Sequence, residues 1–386
     1  MTPDLVLMAV SLGVWGIGEG MFIIFQPIYL QKLGANPVTI GAILGATGVS
    51  MAIAHIPAGH LADRLGPRAL LWAAWVIGTL AAFLMAAANT LAVFSIGLLI
   101  YNLTAFVAAP MNSYVTAARG KMGVGRALTL VQAMYSLGAV IGPALGGMIG
   151  QHYGLKTVYA IGACIIVIST LMIFFIHPQP AHSQAGSLSP LELARNPRFT
   201  GLLALVFIIM FAIYLPQPLT PNFLQNQRQL SLSSIGQLGS IGNLGAVVMM
   251  LSLGRLNSGL ALPLGQAAVA IFTLLIWQGK GLPWFSVGYF FIGGYRVCRP
   301  MLAALARSLV HPAQLGLAYG LVETTNAATL VLAPMLAGLL YQQNPALIYP
   351  VSLGLIVLTF LGGLVFLNRG QAFSELSIPI AGPGPD

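Results

Sequence analysis

Gly59–Leu71, GHLADRLGPRALL, is the stretch that decides how this chain is built. Charge, glycine and proline gather here into a short polar turn between two apolar runs, 38–61 and 69–88. Each run is near the length of about 20 residues that an α-helix needs to cross a bilayer. So short a turn cannot carry the chain far, and the two flanking helices must lie side by side and antiparallel.

The same theme repeats outward in both directions. Apolar runs occupy 5–30, 38–61, 69–88, 91–117, 127–150 and 157–176, then 200–224, 235–254, 261–277, 284–306, 315–341 and 346–367. The longest polar connection, 178–198, splits them into two sets of six and reads as a linker, with a short surface helix at Pro190–Arg195. This predicts an N-terminal bundle over 1–177, a linker over 178–198 and a C-terminal bundle over 199–368. A disordered tail is expected over 369–386.

Composition agrees with that count. Of 386 residues only 6% are charged and 58% are hydrophobic, and the mean hydropathy is +0.89. Soluble domains carry about 25% charged residues. A chain this poor in charge cannot cover a water-facing surface, so its solvent is lipid. The net charge of +9 is spread in ones, twos and threes between apolar runs, which is a topology signal and not a phosphate-binding face. No nucleic-acid partner is expected. Cys164 and Cys298 lie inside apolar runs, and their spacing offers neither a disulfide framework nor a metal site. The first run continues for a full span without a basic n-region, so it reads as a helix and not as a cleaved signal peptide.

An even number of spans puts both termini on one side. With the termini in the cytoplasm, ten Lys and Arg fall inside (Arg64, Arg68, Arg119, Lys121, Arg126, Arg195, Arg198, Arg255, Arg307, Arg369). Four fall outside: Lys32, Lys156, Arg228 and Lys280. That asymmetry follows the positive-inside rule. Arg296 and Arg299 remain within a span.

The opening stretch narrows the class. Gly59, Leu61, Ala62, Asp63, Arg64, Gly66, Arg68 and Leu71 match a pattern that resembles the signature between the second and third helices of the major facilitator superfamily. Physically, Gly59 lets two helices approach and Gly66 permits a tight turn. Asp63 can pair with Arg64, Arg68 or a neighbouring helix end. The resemblance implies an all-α membrane protein of twelve transmembrane helices in two six-helix bundles. It also implies that Gly59, Asp63, Arg64, Gly66 and Arg68 act as a conformational latch.

On the fifth run, Gly138, Gly142, Pro143, Gly146 and Gly147 form a pattern that looks like the antiporter signature of exporter branches. Small residues four apart make a smooth packing face, and Pro143 bends the helix. The resemblance thins in the second half, where Gly254-Arg255-Leu256 keeps only a relic of the loop signature. The fourth run carries Tyr101 or Asn102 near the place where the family signature has an arginine. This departure from the family pattern counts against a proton relay built on that arginine.

Ionisable residues inside a span are functional candidates. Of seven acids, Asp4, Asp63, Glu192, Glu375 and Asp386 fall in loops or tails, which leaves Glu19 and Glu323. Glu19 sits mid-span with Gln26 seven residues on, so the two share a face of a continuous helix. GEGMFIIFQP resembles the first helix of drug/proton antiporters. Low dielectric penalises a carboxylate's charged form, which suits Glu19 to loading and releasing a proton as access alternates. Its structural alternative is an acid capped by polar groups of a neighbouring helix.

Arg296 and Arg299 lie three apart on the tenth run, with Arg299 and Glu323 at similar depth. One acid cannot neutralise two arginines, so positive charge remains to hold a carboxylate, phosphate or sulfonate. Tyr295 and Asn326 share these faces. His55 on the second run titrates near neutral pH, or simply bridges helices.

The expected function is proton-coupled efflux of a small amphipathic compound, with Glu19, Glu323 and His55 as proton-coupling candidates. Gln26, Arg296, Arg299, Tyr295 and Asn326 are the substrate-binding candidates. The alternatives are a carrier for an organic anion or lipid headgroup centred on Arg296 and Arg299, and a non-transporting receptor of the same fold. No enzyme motif, metal or cofactor is expected. The proton gradient is the energy source, and the partners are a small molecule and the bilayer around a monomer. The predicted location is a bacterial-type inner (plasma) membrane.

Overall fold

A computed structural model describes residues 2–179, 196–307, 309–310 and 315–375, without the side chains of 55–65, 315–316 and 364–375. Among the described residues there is no strand. Ten helices are long and apolar enough to cross a membrane, and a shorter apolar stretch, Ile348–Gly363, adds to them. The expected spans appear in order, and the places where they break are informative.

The first span is two helices, α1 (Pro3–Ile23) and α2 (Gln26–Lys32). Pro27 has no N–H to continue the ladder and crowds the preceding turn, so the break falls at Ile24–Phe25. The next helix, α3 (Pro37–Ala87), runs through Gly66, whose φ of 75° and ψ of 159° break it into two spans. That left-handed φ suits glycine, and Pro67 then starts the following helix with its φ already set. The turn expected at Gly59–Leu71 is therefore made at Gly66. The side chains of His55, Gly59, Asp63 and Arg64 lie outside the described residues. Arg68 stacks its guanidinium on Trp72, 4.1 Å from the ring centre.

The fourth span is α4 (Leu91–Leu103), a 3-10 turn (Thr104–Val107) and α5 (Ala108–Ala118). It is followed by α6 (Val124–Tyr153) and α7 (Leu155–Ile173). The linker residues 180–195, including the expected helix at Pro190–Arg195, lie outside the described residues.

The second half opens as the first did. Pro216 and Pro218 separate α8 (Pro197–Tyr214) from the short α9 (Thr220–Asn226). Then come α10 (Leu232–Leu253) and α11 (Ser258–Gln278). The tenth span is broken into α12 (Leu282–Phe291) and α13 (Gly294–Arg307), because Gly293 and Gly294 favour helix poorly. The last helices are α14 (Leu315–Gln343) and α15 (Ile348–Glu375). Residues 369–375 of the expected tail are thus helical, since no proline occurs before Pro379, and 376–386 lie outside the described residues.

Two extensive helix contacts join the halves: the first part of α3 packs on α14, and α6 packs on α10. Both lie toward the face that carries Lys32, opposite the face that carries the N-terminus. Glycine makes them possible. A Cβ on Gly147 would lie 3.0 Å from the Cα of Gly236, and one on Gly48 would lie 3.1 Å from the backbone of Leu330. Inside the N-terminal half the same α6 face seats α1, where a Cβ on Gly142 would lie 2.7 Å from the Cα of Gly20. A polar clasp closes the same end. Asn222 Nδ2 donates to Gln31 Oε1 at 2.6 Å and to the carbonyl of Pro27 at 3.1 Å.

Candidate functional site

Two voids flank α6. The larger, about 360 Å³, lies between the halves and is lined from both. Its floor toward the closed end is the glycine-rich packing just described. Its walls carry Gln26, Thr47, Asn102, Tyr214, Gln217, Asn243, Tyr289, Tyr295 and Arg296 among apolar residues such as Met51 and Leu330. The smaller, about 230 Å³, lies inside the N-terminal half and is lined by Trp15, Glu19, Trp75, Tyr101, Met111, Gln132 and Tyr135, among others.

The smaller chamber is an aromatic box around one carboxylate. Glu19 is half-buried on its wall and accepts a hydrogen bond from the Tyr135 hydroxyl at 2.8 Å. Trp15 leans on Trp75 at a centroid distance of 5.3 Å and stacks on Tyr101 at 6.1 Å. The Trp75 indole is fixed from behind, because its N–H donates to Ser169 Oγ at 2.9 Å. Ser169 in turn is locked to Ser11, Oγ to Oγ at 2.9 Å, and both serines are fully buried. These bonds between α1, the second part of α3 and α7 hold the box in shape.

Glu19 has no cation at ion-pair distance among the described residues. Arg296 of the opposite half acts on it electrostatically, and also acts on Tyr135. Arg296 is placed by Asn243: Arg296 Nη2 donates to Asn243 Oδ1 at 3.3 Å, and Asn243 Nδ2 donates to the carbonyl of Ala139 at 2.6 Å. Tyr135 and Ala139 are one turn apart on α6. One helix therefore holds Glu19 from one turn and Arg296, through Asn243, from the next.

The candidates do not all converge. The break at Ile24–Phe25 separates Gln26 from Glu19, so Gln26 lines the larger cavity and Glu19 the smaller. Tyr295 lines the larger cavity with its ring 5.5 Å from that of Tyr214. Arg299 turns to Glu323, with Nε at 3.1 Å and Nη2 at 2.5 Å from Oε2, in a pair about half exposed. Asn326 is 2% exposed and lies off the cavity wall, with no partner for Oδ1 among the described residues. Of the helix-packing residues, Gly138, Gly142 and Gly146 face α1 and Gly147 faces α10, while Pro143 touches both, its Cδ beside Gly20 and its Cβ beside Gly239.

Sequence reading passed over Trp15 and Trp75, noted Tyr101 only for its place on the fourth run, and gave Tyr135 and Asn243 no role. It also missed the Gly41, Gly45, Gly48 stripe on the second span. That spacing of four and three is a helix-contact signal legible in the sequence.

Comparison with known proteins agrees with this architecture. Residues 8–293 match the family described as Major Facilitator Superfamily. Multidrug resistance protein 2 of Bacillus subtilis is 22% identical over 85% of this chain and 86% of its own length. The class G tetracycline resistance protein of Vibrio anguillarum is 24% identical over 89% of this chain and 92% of its own. Among solved structures, the nucleoside transporter NupG superposes with a TM-score of 0.80 at 15% identity, covering 96% of this chain and 99% of that one.

Proposed function

The chain belongs to the Major Facilitator Superfamily, and from that premise we propose that it exports a small amphipathic compound by alternating access, driven by proton exchange at Glu19. The observation that carries this is the placement of Glu19. It is the carboxylate on the wall of a chamber at membrane depth, hydrogen-bonded to Tyr135 and free of an ion-pair partner among the described residues. A carboxylate so placed takes up or gives up a proton as the chamber changes access.

With the termini in the cytoplasm, the packed end that carries Lys32 is the outer one, and this conformation is closed to the outside. The halves then rock about the contacts of α3 with α14 and of α6 with α10. The substrate rests in the larger cavity, whose wall mixes apolar and polar groups. The names of two relatives, each a resistance protein, support the outward direction.

The test is proton movement in proteoliposomes holding a pH-sensitive dye. Tetracycline and ethidium are added under an imposed pH gradient. Compound-dependent proton flux that disappears in Glu19→Gln supports the reading. Flux that survives Glu19→Gln unchanged, or no flux with any compound of a broad panel, refutes it.

A further inference from the structure

We propose that the substrate is a zwitterion, its cationic end held in the Glu19 chamber and its anionic end on Arg296, so that the two voids are the two ends of one binding site. The proposal rests on the reading of Glu19 and the larger cavity given above and adds the substrate's charge pattern to it.

Glu19 and Arg296 are the only charged residues among the described residues lining the two voids. They are opposite in sign and come from opposite halves. They interact electrostatically, yet stand beyond ion-pair distance. Each opens on a void, and the two are docked to successive turns of α6 through Tyr135 and Asn243. Two opposite charges held apart, each with an open side, are complementary to a ligand carrying the reverse pair.

Each end has the chemistry its partner needs. An ammonium entering the box meets the Glu19 carboxylate and the faces of Trp15, Trp75 and Tyr101, and ring faces attract cations most strongly where water is excluded. The lock of Trp75 on Ser169 means the box need not be ordered at binding. Arg296 gives one arm of its guanidinium to the neutral Asn243, which leaves the rest of the planar fork for a carboxylate, phosphate or sulfonate. Arg299 is no rival, since Glu323 holds it.

A ligand with one charge is the poorer fit. A simple cation would leave Arg296 without a counter-ion, and a simple anion would leave Glu19 so. Arg296 is open to water in this conformation, and an unpaired charge there becomes costly when the site closes over a bound ligand. The titratable and charged groups that act on Glu19 are Tyr135 from α6, Tyr101 from α4 and Arg296 from α13, beside the Trp15 indole of its own helix. A proton arriving at Glu19 cancels the charge that holds the ammonium. Proton and substrate therefore compete for one residue, as exchange in opposite directions requires.

The test is equilibrium binding to the full chain in lipid nanodiscs with three probes of one size: 4-(aminomethyl)benzoate, 4-methylbenzylamine and 4-methylbenzoate. The zwitterion should bind at least tenfold more tightly than either singly charged probe and release protons on binding. Glu19→Gln should lower the zwitterion to the level of the benzoate, and Arg296→Gln to the level of the amine. Glu19→Asp and Arg296→Lys, which keep the charges, should preserve the ranking and so separate this account from misfolding. Affinities within threefold of one another, or no measurable binding of the zwitterion, overturn the proposal. Proton release by the amine alone, lost in Glu19→Gln and untouched by Arg296→Gln, overturns it while leaving proton coupling at Glu19 standing.

Discussion

The hydroxyl of Tyr135 donates a 2.8 Å hydrogen bond to Oε2 of Glu19, and so ties the chamber's carboxylate to α6. One turn on, the same helix receives Asn243 from the other half at the Ala139 carbonyl. Any rocking of the halves that separates α6 from α10 must break the second contact while the first can persist. Glu19 thus travels with the N-terminal half, and Arg296 with the C-terminal half.

Removing the hydroxyl alone tests that tie. A hydrogen bond to a charged group contributes about 1.5–3 kcal/mol, so Tyr135→Phe should lower proton-coupled flux by roughly tenfold or more. The ring remains to wall the chamber, and the protein should fold. Flux in proteoliposomes, normalised to the amount of folded protein, checks it. Flux equal to wild type would mean that Glu19 does not depend on Tyr135.

The glycines separate into two groups with different consequences. Gly142 faces α1 within one half, so Gly142→Val should overpack that half and destabilise it by about 1–3 kcal/mol. Gly236 faces Gly147 across the halves, where a Cβ would lie 2.9 Å from the Cα of Gly147. Gly236→Val should instead disfavour this closed state and open the end that carries Lys32. Thermal unfolding reads the first. Labelling of a cysteine placed at Thr47 from the Lys32 side reads the second, and should quicken.

The clasp at that end makes a related prediction. Asn222 reaches both Gln31 and the Pro27 carbonyl across the halves. Asn222→Ala should remove both bonds and raise accessibility of the cavity from the same side, with little effect on the stability of either half. Hydrogen exchange at α2 and α9 should rise together. Unchanged exchange there would show that the glycine contacts alone keep the end shut.

The pair of Arg299 and Glu323 should matter less than its membrane location suggests. Both side chains are about half exposed, so water screens them, and such pairs contribute about 0–1 kcal/mol. Glu323→Gln should shift the unfolding midpoint only slightly and leave proton-coupled flux within about twofold. Loss of coupling in Glu323→Gln would make Glu323 a second proton site.

Much of the fold was legible because lipid imposes one rule on every span. Apolar length shows where helices cross, and the GHLADRLGPRALL turn shows where one returns, at Gly66. The breaks were harder. Pro27 and the Gly293-Gly294 pair were visible, yet apolar run length carries no information about whether a helix is continuous. That break is why Gln26 and Glu19, seven residues apart, line different voids. The ion pair of Arg299 with Glu323 followed from depth and scarcity of acids. The aromatic box did not, because Trp15, Trp75 and Tyr101 come from three separate spans and no local spacing joins them. Only packing shows that they enclose Glu19.

The most direct test of the central claim compares two modes of transport in one preparation of Glu19→Gln proteoliposomes. Substrate-for-substrate counterflow needs alternating access but no proton exchange, whereas uphill accumulation under a pH gradient needs both. With Glu19 as the proton-exchanging group, the variant should retain counterflow and lose accumulation. Accumulation at the wild-type level in Glu19→Gln would contradict the account and place proton coupling elsewhere in the chain.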